Sequence, residues 1–166
     1  GDPFVQVYNG VFHMWYLFGL GWKKYADGPP DRIYKIAHAT SADGINWDKE
    51  EGAKIIADKL NEDECQALPT VIYHDNKYHM YFCYRSSFDF RKNKNNGYRI
   101  GYAYSEDLSN WTRTDEEAGI DVSVNDWDSD MQCYPHIFKV NDKIYLLYNG
   151  NEFGKDGFGI AELVDK

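Results

Sequence analysis

The sequence repeats itself every 66 residues, and that spacing constrains the fold more than any single motif. Pro3, Pro69 and Pro135 open the segments PFVQVYNGVFHMWYLFG, PTVIYHDNKYHMYFCYR and PHIFKVNDKIYLLYNGN. The match runs on through Val5/Val71/Ile137, Phe12/Tyr78/Ile144, Met14/Met80/Leu146 and Tyr16/Phe82/Tyr148, so two evenly spaced prolines are not its only basis. A chain of this kind is a tandem array and is counted in repeats.

Each unit has the same internal order. In the first, alternating residues predict a strand over Phe4 to Tyr8, a turn at Asn9-Gly10 and a returning strand over Val11 to Phe18. A Gly-, Lys- and Pro-rich loop (Gly19 to Asp31) leads to a third strand, Arg32 to Thr40, and Ser41 to Trp47 forms a turn. A fourth, outer strand is expected near Ala53 to Ala57. The second unit repeats the pattern with strands at Thr70 to His74, Lys77 to Tyr84 and Tyr98 to Tyr104. Its Ser105 to Trp111 copies the Ser-x-Asp-x-x-x-Trp turn. The third holds strands at His136 to Val140, Lys143 to Tyr148 and Gly157 to Leu163, with no second turn of that type. Meandering four-stranded units of this length, with little helical periodicity, predict an all-β fold. We read it as a β-propeller of four-stranded antiparallel blades at 1–60, 61–125 and an incomplete 126–166. Three blades do not close a ring, so further blades or self-association are expected to cover the open faces.

The formal charge is −9, from 27 acidic and 18 basic residues, which argues against nucleic acid or an anionic membrane as partner. Aromatic residues make up 17% of the chain, suiting both a β core and a surface that stacks on sugar rings. Cys65, Cys83 and Cys133 have no metal spacing and cannot all pair internally. Free thiols, and a lean toward the cytoplasm, follow from that odd number. No apolar run is long enough to span a membrane, and an N-terminal signal is not assessable from a chain opening at Gly1-Asp2-Pro3.

Several of these features together resemble a known group. They are the Asp2-Pro3 opening, the repeated hairpins, the two Ser-x-Asp-x-x-x-Trp turns, and the run Trp127-Asp128-Ser129, Met131, Tyr134-Pro135, Tyr148-Asn149-Gly150-Asn151, Gly157 to Ala161. The chain resembles the five-bladed propeller glycosidases of glycoside hydrolase families 43 and 32, and more distantly family 130. The resemblance implies three blades of five, the C-terminal three favoured and the first blade at Asp2 the alternative. It implies hydrolysis of O-glycosyl bonds in an oligo- or polysaccharide. In those families the general acid is a Glu two residues before a blade proline, and other carboxylates directly precede one. Here Asp2 alone precedes a proline, with Leu68 and Tyr134 at the matching positions and Ala67 and Cys133 one further back. The resemblance therefore carries over one catalytic position, Asp2, as nucleophile, base or pKa-modulating carboxylate.

Strand direction sorts the loops onto two faces. The approaches to the first strands and the loops after the second strands share one face, and the hairpins and Ser-x-Asp turns lie on the other. On the first face, Glu64 and Asp130 occupy one repeat position, five residues before their prolines. Two carboxylates entering a funnel from adjacent blades suit glycoside hydrolysis, which needs an acid and a base or nucleophile. Glu64 and Asp130 join Asp2 as catalytic candidates. For substrate binding the same face offers Arg85 as a clamp for an acidic group, Asp128, Asn149 and Asn151 as hydrogen-bonding groups, and Trp22 and Tyr134 as stacking platforms. Trp47, Trp111 and Trp127 read as packing, and His13 and His79 as residues between blades. No cofactor is expected and no His pair has zinc spacing; the central channel beside His136 offers a place for a structural cation or water. Two other functions fit the same residues: a non-catalytic carbohydrate-binding propeller, and a glycoside phosphorylase with phosphate held by Arg85 or Arg91.

Overall fold

A computed structural model describes residues 1–26, 28–49 and 52–164. Its strands form three antiparallel sheets that follow the three repeats in order. The first contains β1 (Phe4–Tyr8), β2 (Val11–Lys23), β3 (Asp31–Ser41) and β4 (Asp48–Lys49). The second contains β5 (Cys65–His74), β6 (Lys77–Arg85), β7 (Arg99–Ser105) and β8 (Thr112–Arg113). The third has β9 (Cys133–Val140), β10 (Lys143–Asn149) and β11 (Phe158–Glu162). In each sheet the strands lie in sequence order, as a meander requires.

Local chemistry explains the hairpins. Asn9 and Gly10, and Asp75 and Asn76, all take positive φ, the backbone of a two-residue turn whose twist matches its strands. The Ser-x-Asp turns are built alike. Ser41 Oγ accepts from Gly44 N at 2.9 Å and Asp43 Oδ1 from Asn46 N at 2.8 Å; Ser105 and Asp107 make the same bonds to Leu108 and Asn110. Backbone N–H donors from Asn46 and Asn110 hold both aspartates well below the usual carboxylate range.

Two elements depart from the sequence reading. The outer strand expected at Ala53 to Ala57 is instead β4, two residues at Asp48–Lys49 pairing with Ala39 and Thr40. Ile55 and Ile56 turn inward: Ile55 N bonds Ile36 O at 3.1 Å, and Ile56 is fully buried between the first two sheets. The loop expected from Gly19 is also shorter, because β2 continues through an irregularity at Gly19–Gly21 and pairs Trp22 with Arg32. Trp22 thus stands on a strand.

The core lies between blades. Trp15, Ile36, Met80, Phe82 and Leu108 form the cluster joining blades one and two, and Ile100, Ile137, Ile144 and Leu146 the one joining two and three. The inner strands converge: Ile137 N bonds Thr70 Oγ1 at 3.1 Å, and the rings of Phe4 and His136 meet at 6.2 Å across blades one and three. His136 also stacks on Phe138 at 6.1 Å. His79 bonds Tyr102 Oη at 2.7 Å and faces the joint of blades two and three.

Candidate functional site

The residue before each repeat proline has a backbone that side chains other than glycine rarely adopt. Asp2, Leu68 and Tyr134 have φ of 46°, 51° and 58°, a left-handed conformation that costs about 1–2 kcal/mol per residue. In β5 the ladder slips between Ala67 and Thr70 at this point, so the kink is an extra residue inserted into the inner strand. Strain of this sort, present three times at one repeat position, marks a place where the fold aims side chains.

They are aimed at a common cluster. Leu68 packs against the cluster formed by Ala67, Cys83, Phe90, Tyr98, Met131 and Cys133. Tyr134 lies 6.3 Å from the Tyr98 ring and 6.2 Å from Phe153, on which it stacks. The Asp2 carboxylate is close enough to both Cys83 and Tyr134 to raise their pKa values, though burial is the larger cause at each. Asp2 and Tyr134 are exposed while the residues beneath them are buried. The result is an exposed carboxylate beside a cluster of aromatic rings, Phe90, Tyr98, Tyr134 and Phe153.

Phe153 and Arg91 join this cluster and were not singled out from sequence as part of it. Glu152, Phe153 and Gly154 form a left-handed stretch (φ 50°, 62° and 92°) that swings the Phe153 ring over Phe90 and Tyr98. Asn149 Nδ2 bonds Phe153 O at 3.0 Å and fixes this turn. The exposed Arg91 guanidinium sits 4.7 Å from the Phe90 ring and 5.1 Å from that of Phe153, a cation–π seat in which its N–H groups have no hydrogen-bond partner among the described residues.

The other sequence candidates fall into separate networks. Glu64 is 0% exposed and both its oxygens are occupied. Oε2 accepts from Lys59 N and Leu60 N at 2.9 Å, and Oε1 from Gln66 Nε2 at 3.0 Å and Arg113 Nη1 at 2.6 Å. Asp128 is likewise buried, accepting from Gln132 Nε2 at 2.7 Å, from Tyr148 Oη at 3.3 Å and from Ser123. Burial works against its charge, yet these donors hold its carboxyl below the ordinary range. Gln66 and Gln132 stand three residues before their prolines, each pinning a carboxylate and a backbone carbonyl. Asp128 is therefore the structural counterpart of Glu64, whereas Asp130, its counterpart by counting, is exposed. The structure does not bring Glu64 and Asp130 together. Asp130 sits beside Arg99, whose Nη1 bonds its carbonyl at 2.9 Å.

Arg85 is 3% exposed and its fork closes on Asp31, at 3.2 and 3.4 Å, with Nε on Tyr34 Oη at 3.2 Å. Its guanidinium lies 3.6 Å from the Phe90 ring. Asn151 Oδ1 accepts from Asp130 N at 2.7 Å and Met131 N at 3.1 Å, tying two loops of the third blade. Trp22 is 67% exposed, with Arg32 over its ring at 4.9 Å, and stands apart from the cluster. Trp127 stacks on Tyr148 at 5.5 Å, as packing. Burial pushes the Cys133 thiol up to about 12 and those of Cys65 and Cys83 upward as well, so none is a ready nucleophile.

No family model matches the chain. It is 36% identical, over 98% of its length, to an uncharacterised protein of Mycobacterium tuberculosis found in two strains, and spans 52% of that relative. The chain thus spans about half the length of the curated relatives it matches. A family 117 glycoside hydrolase of the marine bacterium Zobellia galactanivorans superposes on 99% of the chain with a TM-score of 0.73 at 21% identity; the match covers 52% of that enzyme. A family 43 β-1,3-galactosidase solved with galactodeoxynojirimycin superposes on 98% with a TM-score of 0.60 at 16% identity, covering 57% of that chain. The structural neighbours are five-bladed propeller glycoside hydrolases, and this chain has the fold of part of one.

Proposed function

We propose that these blades belong to a glycoside hydrolase and that Asp2 is the carboxylate nearest its chemistry. The observation that carries this reading is the place of Asp2: exposed, on a left-handed kink, and near enough to Tyr134 and Cys83 of the aromatic cluster to act on their charge. Such a carboxylate is positioned to act as nucleophile or base at a glycosidic carbon while a second supplies the proton. Asp130, exposed on the approach to the third blade, is the candidate for that second group. Glu64 is assigned to its buried clamp, because a carboxylate with four donors on its two oxygens has no lone pair facing a substrate. Tyr134 and Phe153 offer their rings to a sugar face, and Arg91 offers N–H donors to its hydroxyl or acidic groups. The galactodeoxynojirimycin bound to the family 43 neighbour supports a sugar as the ligand here.

One observation favours a second reading. Leu68 and Tyr134 fill the kink positions where further carboxylates would sit, so a propeller that binds glycan without cleaving it fits the same aromatic residues. The phosphorylase reading loses its first support, because Arg85 is committed to Asp31.

Turnover of a panel of aryl glycosides and oligosaccharides, with and without phosphate, separates these readings. Phosphate-independent turnover is expected. Asp2→Asn should reduce it by about 100-fold or more while sugar binding is retained. An unchanged rate removes Asp2 from the chemistry, binding without turnover selects the glycan-binding reading, and neither binding nor turnover overturns both.

A further inference from the structure

Two arginines meet the Phe90 ring, and the fold answers the charge of only one. The Arg85 guanidinium closes on Asp31. That of Arg91 is exposed over Phe90 and Phe153 and makes no ion pair or hydrogen bond among the described residues. Lys92 and Lys94 beside it are exposed and likewise without an ion pair among those residues. Residues 89–97 thus hold three cations, Arg91, Lys92 and Lys94, against one acid, Asp89, in a chain of net charge −9. The loop that carries them, between β6 and β7, is held by its own bonds. Lys92 N and Asn93 N bond Asp89 O at 3.1 and 2.9 Å, and Asn96 Nδ2 bonds Phe88 O at 3.0 Å. Arg99 fastens it to the approach of the third blade, with Nη2 on Lys94 O at 3.0 Å and Nη1 on Asp130 O at 2.9 Å. A cation on such a loop is presented at a fixed place, so little ordering entropy is lost when a ligand meets it. Tyr134 lies within the field of both Asp2 and Arg91: burial raises its pKa most, Asp2 adds to the rise and Arg91 opposes it. The candidate catalytic carboxylate and the unpaired guanidinium therefore act on the same phenol. Arg32 over Trp22 is a similar pair, but it stands apart from this cluster.

We infer, on the reading of this cluster as a sugar site, that Arg91 selects a glycan containing a hexuronic acid, holding its carboxylate on the guanidinium fork while Phe153 and Tyr134 take the sugar ring. The pyranose ring of a uronic acid offers an apolar C–H face and, at its edge, a planar carboxylate. The site offers the complement: stacked aromatic rings, and a planar guanidinium lying over one of them. An arginine suits this task better than a lysine, because its fork meets both carboxylate oxygens at once. A sulfate or phosphate ester has three terminal oxygens, more than one fork serves, and the other guanidinium on Phe90 is already closed on Asp31. The lysines of the loop add a local positive field that draws an acidic chain toward this face of an otherwise acidic protein.

Titration calorimetry of the intact chain tests this with matched probes: trisaccharides of glucuronic, galacturonic and mannuronic acid, the methyl ester of each, and sulfated galactose trisaccharides. At least one uronide should bind about tenfold or more tighter than its own ester, and added salt should erode that margin. Arg91→Gln should bring the acid down to the level of the ester and leave ester binding within about twofold, whereas Arg91→Lys should recover only part of the margin. Lys139→Gln, the same change of charge at the hairpin of the third blade, should alter neither, and the melting temperature shows that each variant is folded. Equal binding of acid and ester, an acid preference that survives Arg91→Gln, or a preference for the sulfated sugar overturns the inference. In each of those cases the bound sugar leaves the glycosidase reading standing. Uronide binding without cleavage supports the inference and separates it from hydrolysis by Asp2. Binding of none of the probes overturns both.

Discussion

Arg113 shows how one side chain can join two blades. Its Nη1 bonds Glu64 Oε1 and Ala57 O, its Nε and Nη2 bond Asp115, and its guanidinium lies 4.4 Å from the Tyr84 ring. Burial opposes its charge, but the carboxylates of Asp115 and Glu64 hold its pKa above the ordinary value. Removing one partner of such a buried pair strands the other charge. Arg113→Ala should therefore destabilise the fold by about 3–5 kcal/mol in urea unfolding. A loss under 1 kcal/mol would mean that water reaches Glu64. The same residues mark the limit of what a sequence can convey about the site. Counting from proline paired Glu64 with Asp130, whereas the buried acid of the third blade lies two residues earlier, at Asp128. The readable signal was Gln66 and Gln132, identical residues at one repeat position, each holding its acid through Nε2. Phe153 was not legible, since nothing in propensity favours an aromatic residue in a left-handed turn.

At the scale of the strand, the third strand of each blade needs a small residue opposite an aromatic one. Tyr16, Phe82 and Tyr148 pair with Ala37, Gly101 and Gly159. A Cβ added at Gly101 would lie 2.5 Å from Phe82 Cζ, and one at Gly159 would lie 2.7 Å from Tyr148 Cζ. Gly101→Val should cost about 1–3 kcal/mol by overpacking, read as a lower denaturation midpoint with an unchanged slope. A neutral outcome would show that the Phe82 ring can move aside. The hairpins and first three strands of each blade were legible because turn residues and two-residue alternation act locally. The fourth strand was not. β4 is two residues long and is set by its pairing with β3, while the apolar Ile55-Ile56 pair that suggested a strand fills the joint between blades.

For the whole molecule, stability should fall in acid in two stages. Burial lowers the pKa of His13 and His79, and lowers that of His38 to about 4 with help from His13, whose Nδ1 lies 3.0 Å from its Nε2. A histidine kept neutral by the fold gives stability that is complete above its unfolded value of about 6.5 and is lost as pH falls toward its folded value. Asp58, Asp115 and Asp128 have lowered values too; burial opposes this at each, and their hydrogen-bond partners outweigh it. Their contribution disappears only below about pH 4. The melting temperature should therefore drop first between about pH 6.5 and 4, and again below that. His38→Gln should flatten the first stage and leave the second. A melting curve that stays level down to pH 4 would contradict this.

The pre-proline kink has a consequence for descent with modification. Asp2, Leu68 and Tyr134 share one backbone geometry while carrying an acid, an aliphatic chain and a phenol. The slot is independent of its occupant. A lineage built on this scaffold can gain or shed a reactive group there through a change of codon, with no new loop to invent.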